Sequence, residues 1–243
     1  MTLSRRTFIA ASTTGATAGV SALPAQAAPA NAALGIDAAE LGARPDSPED
    51  QTKALQRAID RATLARLPLL LAPGIYRTGE LWLTPNTKIA GTRGSTRLEL
   101  AGGPSLFNAQ RADNIELSGL VIDGMKIKPA ENRGLVHLKD GSGVRLADCS
   151  FLHAGQTAVI LERCGGTVFG CTVEDAGDSA IRAIDSTRLR IAENVVRRCG
   201  NNGIQVWRSA PGDDGTMVTD NRIEDIRADA GGDGPYGNAI NVF

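Results

Sequence analysis

Aromatic residues are scarce, 4% of a 243-residue chain, and there are only two histidines and four cysteines. With so few ligands at no zinc-binding spacing, a structural zinc site is excluded. An excess of either charge is missing as well. The 26 Lys and Arg against 27 Asp and Glu leave a net charge of −1, which gives no pull toward nucleic acid or an anionic membrane. The N-terminal run after Ile9 is threaded with Thr, Gly and Ala and is too polar for a membrane span. In the C-terminal half, apolar residues alternate over only three to five positions before Gly, Asn or Asp interrupts them. Helices have no room there.

What fills that half is a repeat. One column reads Leu117, Leu146, Val168, Ile191 and Val218, and another Ile122, Phe151, Val173, Val196 and Ile223. Between them run Leu120, Cys149, Cys171, Asn194 and Asn221. A small-then-apolar pair follows in each unit: Gly134-Leu135, Ala158-Val159, Ala180-Ile181, Gly203-Ile204 and Ala239-Ile240. The inner units are 22 and 23 residues long and the outer ones 29 and 27. A fixed period of this kind is the mark of a solenoid. A leucine-rich repeat has a similar period, but its Leu-rich consensus is absent. Short strands and turns in units of about 22 residues predict a coil of three strands, with successive coils paired in parallel about 4.8 Å apart. The middle column then lies at a sharp turn, where Asn tolerates left-handed backbone and bonds to its copy in the next coil. Cys fills the same inward niche as a small hydrophobe.

The spacing Ile191…Asn194…Val196…Gly203-Ile204 resembles the repeat of right-handed parallel β-helix proteins of the pectate lyase-like superfamily. The run from Gly42 to Pro73-Gly74-Ile75-Tyr76 is similar to the N-terminal cap of the same proteins. With its export signal, the chain also resembles a family of twin-arginine-translocated repeat proteins of unassigned activity. The resemblance implies an all-β, right-handed, single-stranded parallel β-helix with an N-terminal helix cap over residues 36–243. Lyases, hydrolases, epimerases and non-enzymatic adhesins share this scaffold, so fold alone does not choose among them. The paired-Asp, Gly-His-Gly and Arg-x-Lys set of polygalacturonases is missing, as is the Arg-x-Pro-x-x-Arg segment of pectate lyases.

Ser4-Arg5-Arg6-Thr7-Phe8-Ile9 matches a twin-arginine signal, and Ala25-Gln26-Ala27 offers a cleavage site. Residues 1–27 are therefore expected to address the folded chain to the twin-arginine export machinery through Arg5 and Arg6, and residues 28–35 to form a linker. The protein is expected in the periplasm or outside the cell; an ordinary secretory signal is the competing reading. Ser47 as N-cap and Pro48 as first residue predict a helix over residues 48–64. Its apolar face is Ala54, Leu55, Ala58, Ile59 and Ala62, and its place is over the open end of the solenoid, where strand edges would otherwise aggregate. Residues 36–113 hold this cap and the first, less regular coils; residues 114–243 hold the regular repeats. Phe243 falls in the second strand of the fifth unit with no polar cap after it, so the sequence is expected to be a fragment of a longer protein or to be covered there by another chain.

Cys149 and Cys171, stacked in one column, are the single pair placed for a disulfide, although a reduced ladder is the expected form. Cys164 and Cys199 fall in unmatched turn positions and are expected to be free.

On such a scaffold a substrate site lies on the outward face of one sheet and its neighbouring loops. Alternation predicts one outward column of Val136, Ile160, Arg182, Gln205 and Asn241, and another of Leu138, Glu162, Ile184, Trp207 and Phe243. His137 is expected inward. The preceding turn stacks His153, Asp175, Arg198 and Asp225, with Gln156, Asp178 and Asn201 three residues on. His153, Asp175, Asp178, Arg182, Arg198 and Gln205 are thus expected on one flank.

The chemistry expected there is polysaccharide processing. Asp175 or Asp178 would act as general acid or base, with His153 beside them, and Arg182 or Arg198 would hold a sugar carboxylate. Gln205, Glu162, Asn241 and an exposed Trp207 would bind the chain. An acidic polysaccharide is the expected partner, as either the substrate of a lyase, hydrolase or epimerase or the ligand of a non-catalytic envelope scaffold. A salt-bridged ladder on a solvated face is the plainer reading of the same charges. No cofactor is required. Asp213, Asp214, Asp229 and Asp233, on the longer turns, carry carboxylates of the type that binds calcium, and also of the type that simply makes turns.

Overall fold

The computed structural model describes residues 35–129, 132–229 and 237–243. The expected signal segment, all of the linker before Gly35, and Asp233 lie outside the described residues. The described residues, from Gly35 onward, form a right-handed parallel β-helix of about seven turns, each about 23 residues long.

Among the described residues every strand pairing is parallel, and the columns read from the sequence are pairing registers. Leu146 lies opposite Leu117 and Val168, Val168 opposite Ile191, and Ile191 opposite Val218. The same ladder continues upstream through Ile89 and Leu69 to Ile36, so the coils before residue 114 keep the register despite their irregular sequence. The second column, Ile122 through Phe151, Val173 and Val196 to Ile223, is likewise a register and runs along a seven-stranded back sheet.

A coil is clearest at Thr157–Phe169. This strand crosses the front face, turns a corner at Arg163 and continues along the side face; Thr172–Glu174 then forms the back. Residues at the corners adopt left-handed backbone, as Arg163, Gly170 and Asp175 do with φ of 50°, 62° and 57°. The sharp turn of the middle column uses the residue before it. Gly119, Asp148, Gly170, Glu193 and Asp220 carry the positive φ, and Leu120, Cys149, Cys171, Asn194 and Asn221 point inward. Asn is there for its amide. Asn194 Oδ1 accepts from Cys171 N at 2.9 Å, and its Nδ2 donates to Val168 O and Asn221 Oδ1.

All four cysteines are free and buried. Cys164 and Cys199 are not in unmatched turns, however. Cys164 is in register with Gly141, and its backbone N–H bonds to Ser186 Oγ at 3.0 Å. Cys199 stacks beyond Ala154 and Ala176 at the corner leading to the front face, where Gly177 N bonds to Ala154 O and Gly200 N to Ala176 O. Both fill buried corner positions stacked with other small residues, and the mixed types of those residues hid that match in the sequence.

The cap helix spans Thr52–Ala65, starting later than expected. Residues 47–50 are spent in turns instead: Ser47 Oγ accepts from Glu49 N, and Asp50 Oδ1 from Thr52 N. Gln51 occupies the cap position without capping, because its Oε1 accepts from Arg44 N. The helix buries Leu55, Ala58, Ile59 and Ala62, and each of the two larger side chains contributes about 1.5–3 kcal/mol. Gln56 also replaces a missing strand neighbour, since its side-chain amide bonds both the N–H and the C=O of Trp82 at 2.9 Å. That is how the helix protects a sheet edge.

Candidate functional site on the front sheet

The front sheet sets its outward side chains by a register that differs by one residue from the sequence expectation. Val136 lies opposite Val159, and His137 opposite Ile160. The outward column is therefore Trp82, Asn108, His137, Ile160, Arg182, Gln205 and Asn241. Val136 and Leu138 are fully buried, which corrects their outward assignment, and His137 faces outward. The strand starting at Gly134 carries an extra residue before its first inward position, so aligning Leu135 with Val159 placed the whole strand on the wrong face. Beside this column run Lys139, Glu162, Ile184 and Trp207, with Lys139 replacing the expected Leu138. Trp207 is 42% exposed, and its ring centroid lies 6.4 Å from that of Phe243.

Arg182 is the hub of the lower half. Its Nε donates to Gln205 Oε1 at 2.7 Å and its Nη1 to Asn132 Oδ1 at 3.1 Å, while Nη2 pairs with Asp178. Asp178 also accepts from Thr157 Oγ1 and Asn201 Nδ2. Asn241 Nδ2 donates to Asn202 Oδ1 at 3.3 Å.

Of the upper half, sequence reasoning named Glu162 and missed its neighbours His137, Lys139, Arg133 and Glu80. Glu162 accepts from Lys139 Nζ at 3.1 Å and pairs with Arg163, which also binds Asp140. These bonds outweigh the cost of burial and hold the Glu162 carboxyl below its usual range. His137 Nε2 is 3.7 Å from Glu162 Oε2, beyond hydrogen-bonding distance. Burial, followed by the nearby Arg133 charge, pushes the His137 imidazole below its ordinary value, so it is neutral at pH 7. One coil back, Glu80 accepts from Asn108 Nδ2 at 3.0 Å and lies 3.4 Å from Arg133 Nη2.

His153, Asp175 and Arg198 form a second group at the corner between back and front faces. All three have left-handed backbone, the expected column, and Asp225 continues it. Arg198 binds Asp175 through Nε at 2.9 Å and Glu174 through Nη2 at 2.7 Å. The Arg198 bond, opposed by burial, keeps the Asp175 carboxyl below its usual range. His153 turns the other way, with Nδ1 at 3.0 Å from Asp123 Oδ2. Asp123 is fully buried, binds Arg97 and caps Met125 N. Its partner His153 lies thirty residues on, a separation that no local motif reveals.

Among the described residues, the six side chains expected on one flank thus divide into two bonded sets: Asp178, Arg182 and Gln205 on the front sheet, and Asp175 with Arg198 at the corner, next to His153 on Asp123. Asp213 and Asp214 accept from backbone N–H groups two residues on, and Asp214 also pairs with Arg208. Asp229 pairs with Arg227. No group of three or more His, Cys, Asp or Glu side chains is arranged to hold a metal among the described residues.

Residues 102–242 match the family model for the right handed beta helix region. No curated protein matches the sequence. Solved structures of the same shape include a protein of Parabacteroides merdae provisionally named a glycosyl hydrolase. It has a TM-score of 0.64 and 17% identity, with 77% of this chain and 95% of that one covered. The family 28 exopolygalacturonase of Yersinia enterocolitica follows at TM-score 0.59 and 15% identity, with 77% and 48% covered. The N-terminal fragment of bacteriophage phi29 gene product 12 gives 0.64 and 18%, with 78% and 37% covered. The chain thus spans nearly all of the first protein and less than half of the other two. Identity this low establishes a common fold.

Proposed function

The chain belongs to the right handed beta helix family, and from that premise we propose that it is an exported protein that binds and processes a polysaccharide along its front sheet. The observation that carries this reading is the outward column itself. Trp82, His137, Arg182, Gln205 and Asn241 carry polar or aromatic groups on the outer side of this column of seven successive coils, with the buried Asn108, bonded to Glu80, and Ile160 between them. Lys139, Glu162 and Trp207 run beside them. Coils about 4.8 Å apart make this a track for an extended chain of repeating units. The glycosyl hydrolase and polygalacturonase names of its structural neighbours agree with a carbohydrate ligand.

On the track Glu162 stays ionised at neutral pH, so it can accept a proton but not deliver one. With the fixed cation of Arg182, the track suits removing a proton beside a sugar carboxylate better than protonating a glycosidic oxygen. A non-catalytic scaffold is the second reading. It is favoured by Arg198, Asp175 and Glu174 already bonding one another, which leaves that corner as a salt-bridged face.

The test is to incubate the protein with a panel of acidic and neutral polysaccharides, following new reducing ends and the ultraviolet absorbance of unsaturated products. Turnover lost in Asp178→Asn and Arg182→Met supports processing. Binding without turnover supports the scaffold. Neither binding nor turnover across the panel rejects the carbohydrate reading.

A further inference from the structure

The head of the track contains buried polar atoms with no partner. His137 Nδ1 and Nε2 and Arg133 Nε are all shielded from solvent, yet none makes a hydrogen bond. Buried polar groups are nearly always satisfied, and leaving one unmade costs about 1–3 kcal/mol. Three such atoms on two side chains near enough for the Arg133 charge to act on the His137 ring require an explanation, and a ligand supplies it. The same Arg133 lines a cleft of about 570 Å³ with Glu80, Trp82, Pro104 and Lys128. Trp82 is 47% exposed there, and Gln56 fixes its backbone, so the indole is a held, apolar platform.

We propose that His137 and Arg133 form a proton-linked carboxylate receptor at the head of the track, taking the acid group of a uronate sugar that stacks on Trp82. This inference rests on the polysaccharide reading and names the sugar chemistry it would select. Arg133 Nε donates to one carboxylate oxygen and a His137 ring N–H to the other, which satisfies donors that are otherwise unpartnered. A neutral imidazole supplies only one N–H. An anion placed against it favours the second proton, so the sugar binds together with a proton.

The charges facing His137 are Arg133 from the loop, Lys139 from its own strand and Glu162 from the next coil, while Asn108 and Glu80 lie one coil back. Burial first, and then the two cations, keep the ring neutral while the site is empty. A bound carboxylate offsets Arg133 and shifts that balance toward the protonated ring. By linkage, affinity rises as pH falls and is lost as pH rises through the bound-state value of His137.

The experiment measures calorimetric binding of a uronate oligosaccharide and its carboxyl-reduced counterpart, in two buffers of different ionisation heat, to the full chain and to Arg133→Met, His137→Gln and, as a control, Glu224→Gln. The wild type is expected to bind the acidic form at least tenfold tighter and to take up protons as it does so. Arg133→Met abolishes the preference. His137→Gln abolishes the proton uptake, and Glu224→Gln, on the back sheet, leaves both in place. Circular dichroism melts confirm that each variant folds, and Arg133→Met alone decides the matter should the histidine variant not fold. Equal binding of the two sugars, or a preference that survives Arg133→Met, overturns the receptor while leaving the polysaccharide track intact. Binding of neither sugar overturns the receptor, and the polysaccharide panel then decides the track separately.

Discussion

Asn194 and Asn221, 27 residues apart in the chain, share a hydrogen bond of 2.9 Å from one coil to the next. Asn221 Oδ1 accepts from the backbone N–H of Asn194 as well as from its amide, and Asn221 Nδ2 donates to Ile191 O. The side chain of one coil therefore completes the backbone of another, at a corner where strand pairing stops.

Asn194→Ala leaves Cys171 N and Val168 O without partners inside the core. We expect a loss of about 2–6 kcal/mol in denaturant unfolding, the sum of two unmade buried bonds. Asn194→Cys should cost less than Asn194→Ala, since cysteine fills the same niche at Cys149 and Cys171 and bonds weakly to carbonyls. Equal losses for the two variants would show that the cavity alone matters.

The Asp175–Arg198 pair predicts a pH dependence of stability. The carboxyl is lowered in the folded state, so its contribution is complete above the unfolded value near 3.8 and disappears as pH falls through the folded value. Arg198→Met removes that contribution. Stability curves of wild type and variant should therefore separate at neutral pH and converge in acid. A gap that stays constant down to the acid limit would mean that Arg198 acts through packing.

Burial pushes the thiols of Cys149 and Cys164 up to about 12, and those of Cys171 and Cys199 to about 11. Thiolate is then nearly absent at neutral pH in the native state. All four cysteines should react with a thiol reagent only as fast as the solenoid opens, and all four together in denaturant. One cysteine labelling ahead of the rest would locate a coil that opens locally.

Trp207→Ala should weaken polysaccharide binding about tenfold, a cost typical of losing an exposed aromatic anchor. The melting midpoint should hardly move, because the indole stands outside the hydrophobic core, beside Phe243. Isothermal titration and a thermal melt on the same sample separate these outcomes. Unchanged affinity would remove Trp207 from the track.

The solenoid was legible because its signal recurs. A column such as Leu146, Val168 and Ile191 repeats one physical demand, an apolar side chain at the same depth in every coil, and the pairing follows it residue for residue. The front strand of residues 134–139 is where that reading failed. One extra residue exchanged the faces of His137 and Val136, and the period of two turns such a slip into a complete inversion. The cap helix likewise kept its buried face but lost its predicted start, since Ser47 and Asp50 make turns of their own. Asp123 carried no signal at all. Its partners Arg97 and His153 come from the coils before and after it, and only the folded register brings the three together.

Because each winding rests only on its two neighbours, the number of windings is not tied to any global closure. Duplicating one complete 23-residue unit, such as residues 166–188, should insert a further storey without disturbing those on either side, lengthening the track by about 4.8 Å. The distance between the tryptophan platforms Trp82 and Trp207 would then be adjustable in whole steps, making this protein a molecular ruler whose graduations are set by gene duplication.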